Sequence, residues 1–289
     1  MQNLTLIKDL EKAFGLNIKQ LNRASGGDIA ESYIIEAHNG RFFAKILNNT
    51  NGLDMLEAES EGLQAIARTG TLPVPRVEGC ASLGSGSCLL LEYIPVGAER
   101  GRSFEALGRG LAQMHHHTSA SFGWPRQNYI GTLDQVNTPN PSWDFFYCHY
   151  RLLPQYRLAL DKGFLSASEI PEPEWMLSRI SNLLPEIKPA LLHGDLWSGN
   201  YLISSSGTPY LIDPSAYFGH AEVDLAMSLL FGGFPSRFYD AYFEIAPQVA
   251  GFEVRVALYQ LYYLLVHLNL FGRSYYRKVV ETGSRLFLS

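Results

Sequence analysis

The sequence predicts an α+β protein of two lobes, a small β-rich N-terminal lobe over residues 1–93 and a larger helical C-terminal lobe over residues 94–289. Two observations carry this. Short strand-like runs broken by turn residues crowd the first third, whereas most of the remainder is helical in pattern. Between them Tyr93-Ile94-Pro95 reads as a joint, and a cleft is expected where the lobes meet.

Taken in order, Leu4, Ile7, Leu10 and Phe14 recur at helical spacing, and Gly15 stops that helix. Strand-like runs follow at 30–37 and 41–47, with Asn39-Gly40 as the hairpin signal between them. Residues 53–68, rich in Glu and Ala, form a helix that ends near Gly70. Pro73 and Pro75 break the chain before a second strand pair, 76–80 and 88–92, turned by Gly84 and Gly86. Beyond the joint, helices are expected at 104–117, 143–161, 168–184, 222–230, 252–270 and 275–286. One island, 191–214, interrupts them with two short strands around Ser204-Ser205-Ser206-Gly207.

A chain of 289 residues has room for two modest lobes with real cores. Its net charge of −5 and lack of any Lys/Arg run speak against a nucleic-acid partner. Cys80, Cys88 and Cys148 have no metal-site spacing and read as small buried hydrophobes in a reducing compartment. The opening MQNLTLIKDLEKAF lacks the basic and long apolar regions of a signal peptide. The most apolar late stretch, 257–270, carries Gln260, His267 and Asn269 and is too short and polar to span a bilayer. A cytoplasmic protein without a membrane partner is expected, with a monomer favoured.

The sharpest chemical feature is His193-Gly194-Asp195-Leu196-Trp197-Ser198-Gly199-Asn200, followed by a hairpin and then Leu211-Ile212-Asp213-Pro214. Each of these residue types populates turns when alone. Together, between apolar strands, they fit a different purpose. Phosphoryl transfer from a nucleotide needs an acid beside the attacking hydroxyl and oxygen ligands for Mg²⁺. An Asp and an Asn five residues apart can share one tight loop, and a hairpin returns a second Asp beside them. Protein kinases use the same Asp-to-Asn spacing, so the α+β chain is expected to adopt a protein-kinase-like fold with Asp195 as base and Asn200 and Asp213 as metal ligands.

That chemistry predicts further parts upstream. A strand Lys should reach the nucleotide phosphates, held by a Glu on the next helix. Lys45 sits at the inward end of the run Phe42-Phe43-Ala44-Lys45-Ile46, and Glu57, Glu59 and Glu61 all lie on the following helix. Glu57 and Glu61 are about 200° from Glu59 around a helical wheel, so only one side can serve. Ser25-Gly26-Gly27-Asp28 is placed to cover phosphates with the backbone N–H groups of Gly26 and Gly27. At the joint, the C=O of Glu92 and N–H of Ile94 are candidates for an adenine edge. His115-His116-His117 cannot chelate one metal, because helix neighbours point about 100° apart; a helix C-terminus is the better reading. Tyr259, Tyr262 and Tyr263 read as core, and His220 and His267 as structural histidines in helical segments, either of which could line the cleft.

These residues resemble the signature of the fructosamine (ketosamine-3-) kinases, relatives of the aminoglycoside phosphotransferases and choline kinases. The similarity rests on HGDLWSGN, with Trp197 two residues after Asp195, and extends over nearly the whole chain. It takes in Phe122-Gly123-Trp124, Asn128-Tyr129-Ile130-Gly131, Trp143, Arg151-Leu152, Pro154-Gln155, Gly219-His220, Asp224-Leu225-Ala226-Met227, Phe231-Gly232-Gly233-Phe234 and His267–Gly272. The resemblance implies ATP-dependent phosphorylation of the 3-hydroxyl of ketosamines, free or protein-bound. Because the 3-phosphate is unstable and releases the amine, the implied outcome is deglycation. It also favours Glu59 as the partner of Lys45 and places Trp197 against the substrate. Asp28 stands where some members carry a redox-sensitive Cys, so no such switch is expected. Competing expectations are a kinase for an aminoglycoside, choline or homoserine, and a non-catalytic pseudokinase. The base, the metal Asp and the strand Lys are all present, against the last.

Overall fold

The computed structural model describes residues 2–24 and 30–287. Helix α1 (Gln2–Phe14) leads into five strands, β1 (Ile18–Arg23), β2 (Glu31–Ala37), β3 (Gly40–Leu47), β4 (Val77–Leu83) and β5 (Gly86–Glu92), with α2 (Gly52–Thr69) between β3 and β4. The strands form one antiparallel sheet ordered β1-β2-β3-β5-β4. Side chains alternate across a strand, and β5 shows why its centre is apolar on every residue. Cys88 and Leu90 join the cluster of Leu10, Ile35, Ala44 and Ile46 on the α1 side, while Leu89 and Leu91 pack with Leu47, Leu56 and Leu63 on the α2 side. The sheet is thus covered on both faces, and α2 is held firmly against β5.

The rest of the chain is mainly helical: α3 (Ser103–Met114), α4 (Trp143–Tyr147), α5 (Leu153–Asp161), α6 (Pro173–Leu183), α7 (Glu222–Leu230), α8 (Ser236–Phe243), α9 (Phe252–Phe271) and α10 (Tyr276–Phe287). Between them lie three small antiparallel pairs. These are β6 (Asn128–Ile130) with β7 (Leu133–Gln135), β8 (Ala190–Leu192) with β11 (Tyr217–Gly219), and β9 (Tyr201–Ile203) with β10 (Pro209–Leu211). Together these elements make the two-lobed α+β fold that the strand and helix patterns predict. Helix α9 is buried along most of its length and anchors the larger core. No helix among the described residues is long and apolar enough to cross a membrane.

The differences from the sequence expectations have physical causes. The helix expected at 143–161 is interrupted by a π-helical turn, Cys148–Leu152, closed by the Leu153 N–H on the Cys148 carbonyl. Pro154 follows at once and has no N–H to continue the regular ladder. The helix expected from 168 begins at Pro173, where a proline suits the first turn. His220 lies between β11 and α7 rather than in a helix. Cys80, Cys88 and Cys148 are free thiols, and burial pushes Cys88 and Cys148 up to about 12.

Candidate active site

The loop after β8 is fixed from below. Gly194 has φ +83°, and a Cβ there would lie 2.1 Å from the Ser215 carbonyl oxygen, so only glycine fits. The fully buried Asp224, on the first turn of α7, accepts the His193 N–H at 2.7 Å and the Gly194 N–H at 2.8 Å. Its Oδ2 also lies 3.1 Å from His115 Nε2, and His115 Nδ1 lies 2.8 Å from Tyr242 Oη. Tyr263 donates to the Gly194 carbonyl at 2.7 Å. A bidentate pair of Arg255 with Glu222, both bonds 2.7 Å, ties α9 to the start of α7. His193 contributes through its ring: Nε2 donates to the Ile212 carbonyl at 2.8 Å, and Nδ1 accepts the Asp195 N–H at 3.2 Å. Burial lowers its pKa, which keeps the imidazole neutral in that tautomer.

On this platform Asp195 faces the cleft. Asn200 Nδ2 donates to its backbone oxygen at 2.8 Å and to Oδ2 at 3.1 Å. Burial raises the Asp195 pKa to about 7, with Asp213 and Asp224 adding to the rise and the Asn200 bond opposing it. The Ile212 N–H donates to the Asn200 carbonyl at 3.0 Å, which holds Asp213 beside Asn200. Asp213 has φ +57° and is the only described non-glycine residue with positive φ, a strained conformation typical of functional positions.

Lys45, 8% exposed, closes the cleft from the sheet side. Its Nζ donates to Glu59 Oε1 at 2.7 Å and to Asp213 Oδ1. Burial acts to lower the Lys45 pKa, but the Asp213 and Glu59 carboxylates outweigh it and raise it, so the ammonium stays charged. Glu57 and Glu61 turn away to Arg126. Lys45, Glu59, Asp195, Asn200, Asp213 and Trp197 all line one cleft of about 1010 Å³. The Trp197 indole covers Gly199, where an added Cβ would lie 2.4 Å from the ring, and it meets Phe231 edge-on at 6.4 Å between centroids.

Other expected contacts fall elsewhere. Gly26 and Gly27, with Asp28, lie outside the described residues. Glu92 ends β5 opposite Phe42, and its side chain and N–H meet Arg76. It lines a separate groove of about 560 Å³ with Tyr93 and Arg41, and Ile94 is buried; neither is among the residues lining the main cleft. His220 is locked on Tyr259 Oη at 2.7 Å, with burial lowering its pKa to about 3, and lies away from the cleft lining. His267 does line the cleft, its Nδ1 donating to the Tyr263 carbonyl at 2.7 Å. Sequence reasoning gave no role to Asp224 and His115, whose contribution depends on burial between distant elements. Nor did it assign roles to Phe231, Phe271 and Tyr275 at the cleft's far end.

The arrangement suits a divalent cation carried by a polyphosphate. Asn200 and Asp213 offer two oxygen-bearing side chains, which matches Mg²⁺, an ion that keeps waters and phosphate oxygens for its other positions. No cluster of three or more His, Cys, Asp or Glu suited to holding a metal alone occurs among the described residues.

Comparison with known proteins matches the chain over nearly its whole length. The family profile described as fructosamine kinase matches residues 3–287. A protein of Synechocystis sp. named as a probable ketoamine kinase is 38% identical over 282 residues, 96% of this chain and 94% of the relative. The chloroplastic protein-ribulosamine 3-kinase of Arabidopsis thaliana is 39% identical over 265 residues, 89% of this chain and 79% of its own length. A solved structure from Thermobifida fusca, provisionally assigned as a fructosamine-3-kinase, superposes with TM-score 0.86 at 33% identity, covering 100% of both chains. The aminoglycoside phosphotransferase APH(4)-Ia shares the protein-kinase-like fold alone, with TM-score 0.61 at 16% identity over 98% of each chain.

Proposed function

The chain belongs to the fructosamine kinase family, and on that premise we propose that it uses ATP to phosphorylate the 3-hydroxyl of ketosamines, leading to deglycation. The observation that carries this is the convergence of Lys45, Glu59, Asp195, Asn200 and Asp213 on one cleft.

In this reading the acceptor hydroxyl sits against Asp195 and attacks the γ-phosphorus in line. The new C–O–P bond forms as the bond to the ADP oxygen breaks, and the proton passes to Asp195. A carboxyl raised towards neutral pH is a better proton acceptor than an ordinary Asp, though it still takes the proton late. Lys45, steadied by Glu59, binds phosphate oxygens and would exchange its contact with Asp213 for them. Asn200 and Asp213 would hold Mg²⁺, which supplies positive charge to the phosphate oxygens. Gly26 and Gly27 are assigned to the phosphates. Glu92 and Ile94 are assigned to an adenine that extends past the lined cleft towards the joint.

Trp197 supplies a flat wall for the sugar. The rings of Phe231, His267, Phe271 and Tyr275 continue that wall outward. The carboxylates among the described lining residues are Glu59, Asp195 and Asp213, all at the phosphate end. An acceptor end without carboxylates favours a sugar-amine over a polycationic aminoglycoside. Phe271, a lining residue, is half exposed, so that part of the cleft meets solvent, and the reading takes both free and protein-bound ketosamines as acceptors. We place this activity in the cytoplasm, carried by a monomer.

The test is incubation with ATP and a panel of ketosamines, parent amines and antibiotics, with product mass and phosphate position determined. A 3-phosphorylated ketosamine supports the reading. Transfer only to an aminoglycoside or choline overturns it.

A further inference from the structure

Helix α2 carries carboxylates on two flanks. Glu59 points to Lys45 at 2.7 Å. Asp54, Glu57 and Glu61 follow each other at three and four residues, the spacing of a single helix stripe. At about 100° per residue that stripe is roughly opposite Glu59. All three meet one side chain from the helical lobe. Arg126 Nη1 lies 2.9 Å from Glu61 Oε1 and 3.8 Å from Glu57 Oε2, and Nη2 bonds Asp54 Oδ1. Tyr129 donates to the other Asp54 oxygen at 2.6 Å.

The seat of Arg126 is itself rigid. Asn137 Nδ2 donates to the Arg126 carbonyl at 3.3 Å and to Asn128 Oδ1 at 2.6 Å. Asn137 is held in turn by Arg151, which is wholly buried and donates to its Oδ1 at 2.7 Å. The Arg151 guanidinium lies over the rings of Tyr217 and Phe146, 4.1 and 4.7 Å from their centroids. An unbroken run of contacts therefore leads from the core of the helical lobe, through the foot of the β6–β7 hairpin, to the flank of α2.

We propose that Arg126 is a positioning residue for phosphoryl transfer: by gripping the far stripe of α2 from the helical lobe, it holds Glu59 on Lys45 and keeps the phosphate clamp formed. This rests on the reading of Lys45 and Glu59 as that clamp. Exposed ion pairs are weak singly. Here one planar guanidinium serves three carboxylates, so its side chain is ordered once for several contacts. A lysine ammonium offers its donors from a single nitrogen and lacks the planar fork that spreads two nitrogens over these carboxylates.

The experiment is a double-mutant cycle on the full chain, reading kcat and KM for ATP, with the unfolding midpoint measured in parallel. Arg126→Ala is expected to lower kcat/KM for ATP roughly three- to tenfold, the scale of a few surface ion pairs acting together. Arg126→Lys should recover only part of the loss. Glu59→Gln should lose more, and the double variant should be no worse than Glu59→Gln within about twofold, because coupled residues are non-additive. Losses that multiply would show that Arg126 acts independently of Glu59 and overturn the proposal. So would a folded Arg126→Ala with unchanged turnover. If Arg126→Ala does not fold, the pair Asp54→Asn with Glu61→Gln tests the same grip from the helix side, under the same criteria. Unchanged turnover in Glu59→Gln would remove the clamp itself and this inference with it, whereas a loss confined to Glu59→Gln removes the inference alone.

Discussion

Replacing Asp195 by Asn should separate catalysis from stability in opposite directions. Burial raises this carboxyl from an ordinary 3.8 to about 7 in the folded chain, so the fold binds its proton more tightly than the unfolded chain does. Stability from such a group is fully present below about pH 4 and is lost as pH rises through about 7. Converted at 1.36 kcal/mol per pKa unit, the loss above pH 7 is on the order of 4 kcal/mol. The Asp195→Asn chain has no charge to bury, and the backbone bond from Asn200 at 2.8 Å remains available to it. Urea unfolding of nucleotide-free protein from pH 4 to pH 8 is the assay. Wild type and variant should agree near pH 4, and the variant should become progressively more stable, by up to that amount, at pH 8. Its turnover should fall by at least ~10², the scale of a lost general base. Parallel stability profiles would refute the claim that the cleft penalises the Asp195 charge. Turnover within a few-fold of wild type would remove Asp195 from its role.

Three further outcomes follow from the same geometry. For the free enzyme, kcat/KM should show an acid limb near pH 7 and fall about tenfold per pH unit below it, because the proposed mechanism needs Asp195 ionised and burial raises its pKa to about 7; a flat profile down to pH 5 would contradict this. Asp224→Ala strips the acceptor from two buried N–H groups and should destabilise the chain by roughly 3–5 kcal/mol in urea titration, whereas a loss under 1 kcal/mol would show that the loop does not depend on it. Trp197→Ala should raise KM for a ketosamine roughly tenfold while leaving KM for ATP within about twofold, and equal changes in both would argue against a sugar wall.

The sequence disclosed the parts whose chemistry is local. The spacing of Asp195, Asn200 and Asp213 follows from a loop and a hairpin, and the structure brings them into one cleft with Lys45. The wheel argument divided Glu59 from Glu57 and Glu61, and these face Lys45 and Arg126 respectively. What stayed hidden depends on contacts between remote segments. Asp224 looks like any first-turn helix acid, and only burial beneath His193 and Gly194 makes it a keystone. His115, set aside with its neighbours as a helix end, lies just past α3 and meets Asp224 across 109 residues. Three-residue strands such as β6 and β7 are too short to show an alternating pattern, although their hairpin lines the cleft and seats Arg126. The adenine contacts expected of Glu92 and Ile94 rest on backbone groups, and backbone direction is not written in residue type.

The most direct measurement is the structure of a complex with Mg²⁺, a non-hydrolysable ATP analogue and a ketosamine. The account predicts the sugar 3-hydroxyl within hydrogen-bond reach of Asp195 and in line with the γ-phosphate, Asn200 and Asp213 on the metal, and Lys45 on the phosphates. A triphosphate bound away from Lys45, or a sugar presenting another hydroxyl to Asp195, would contradict it.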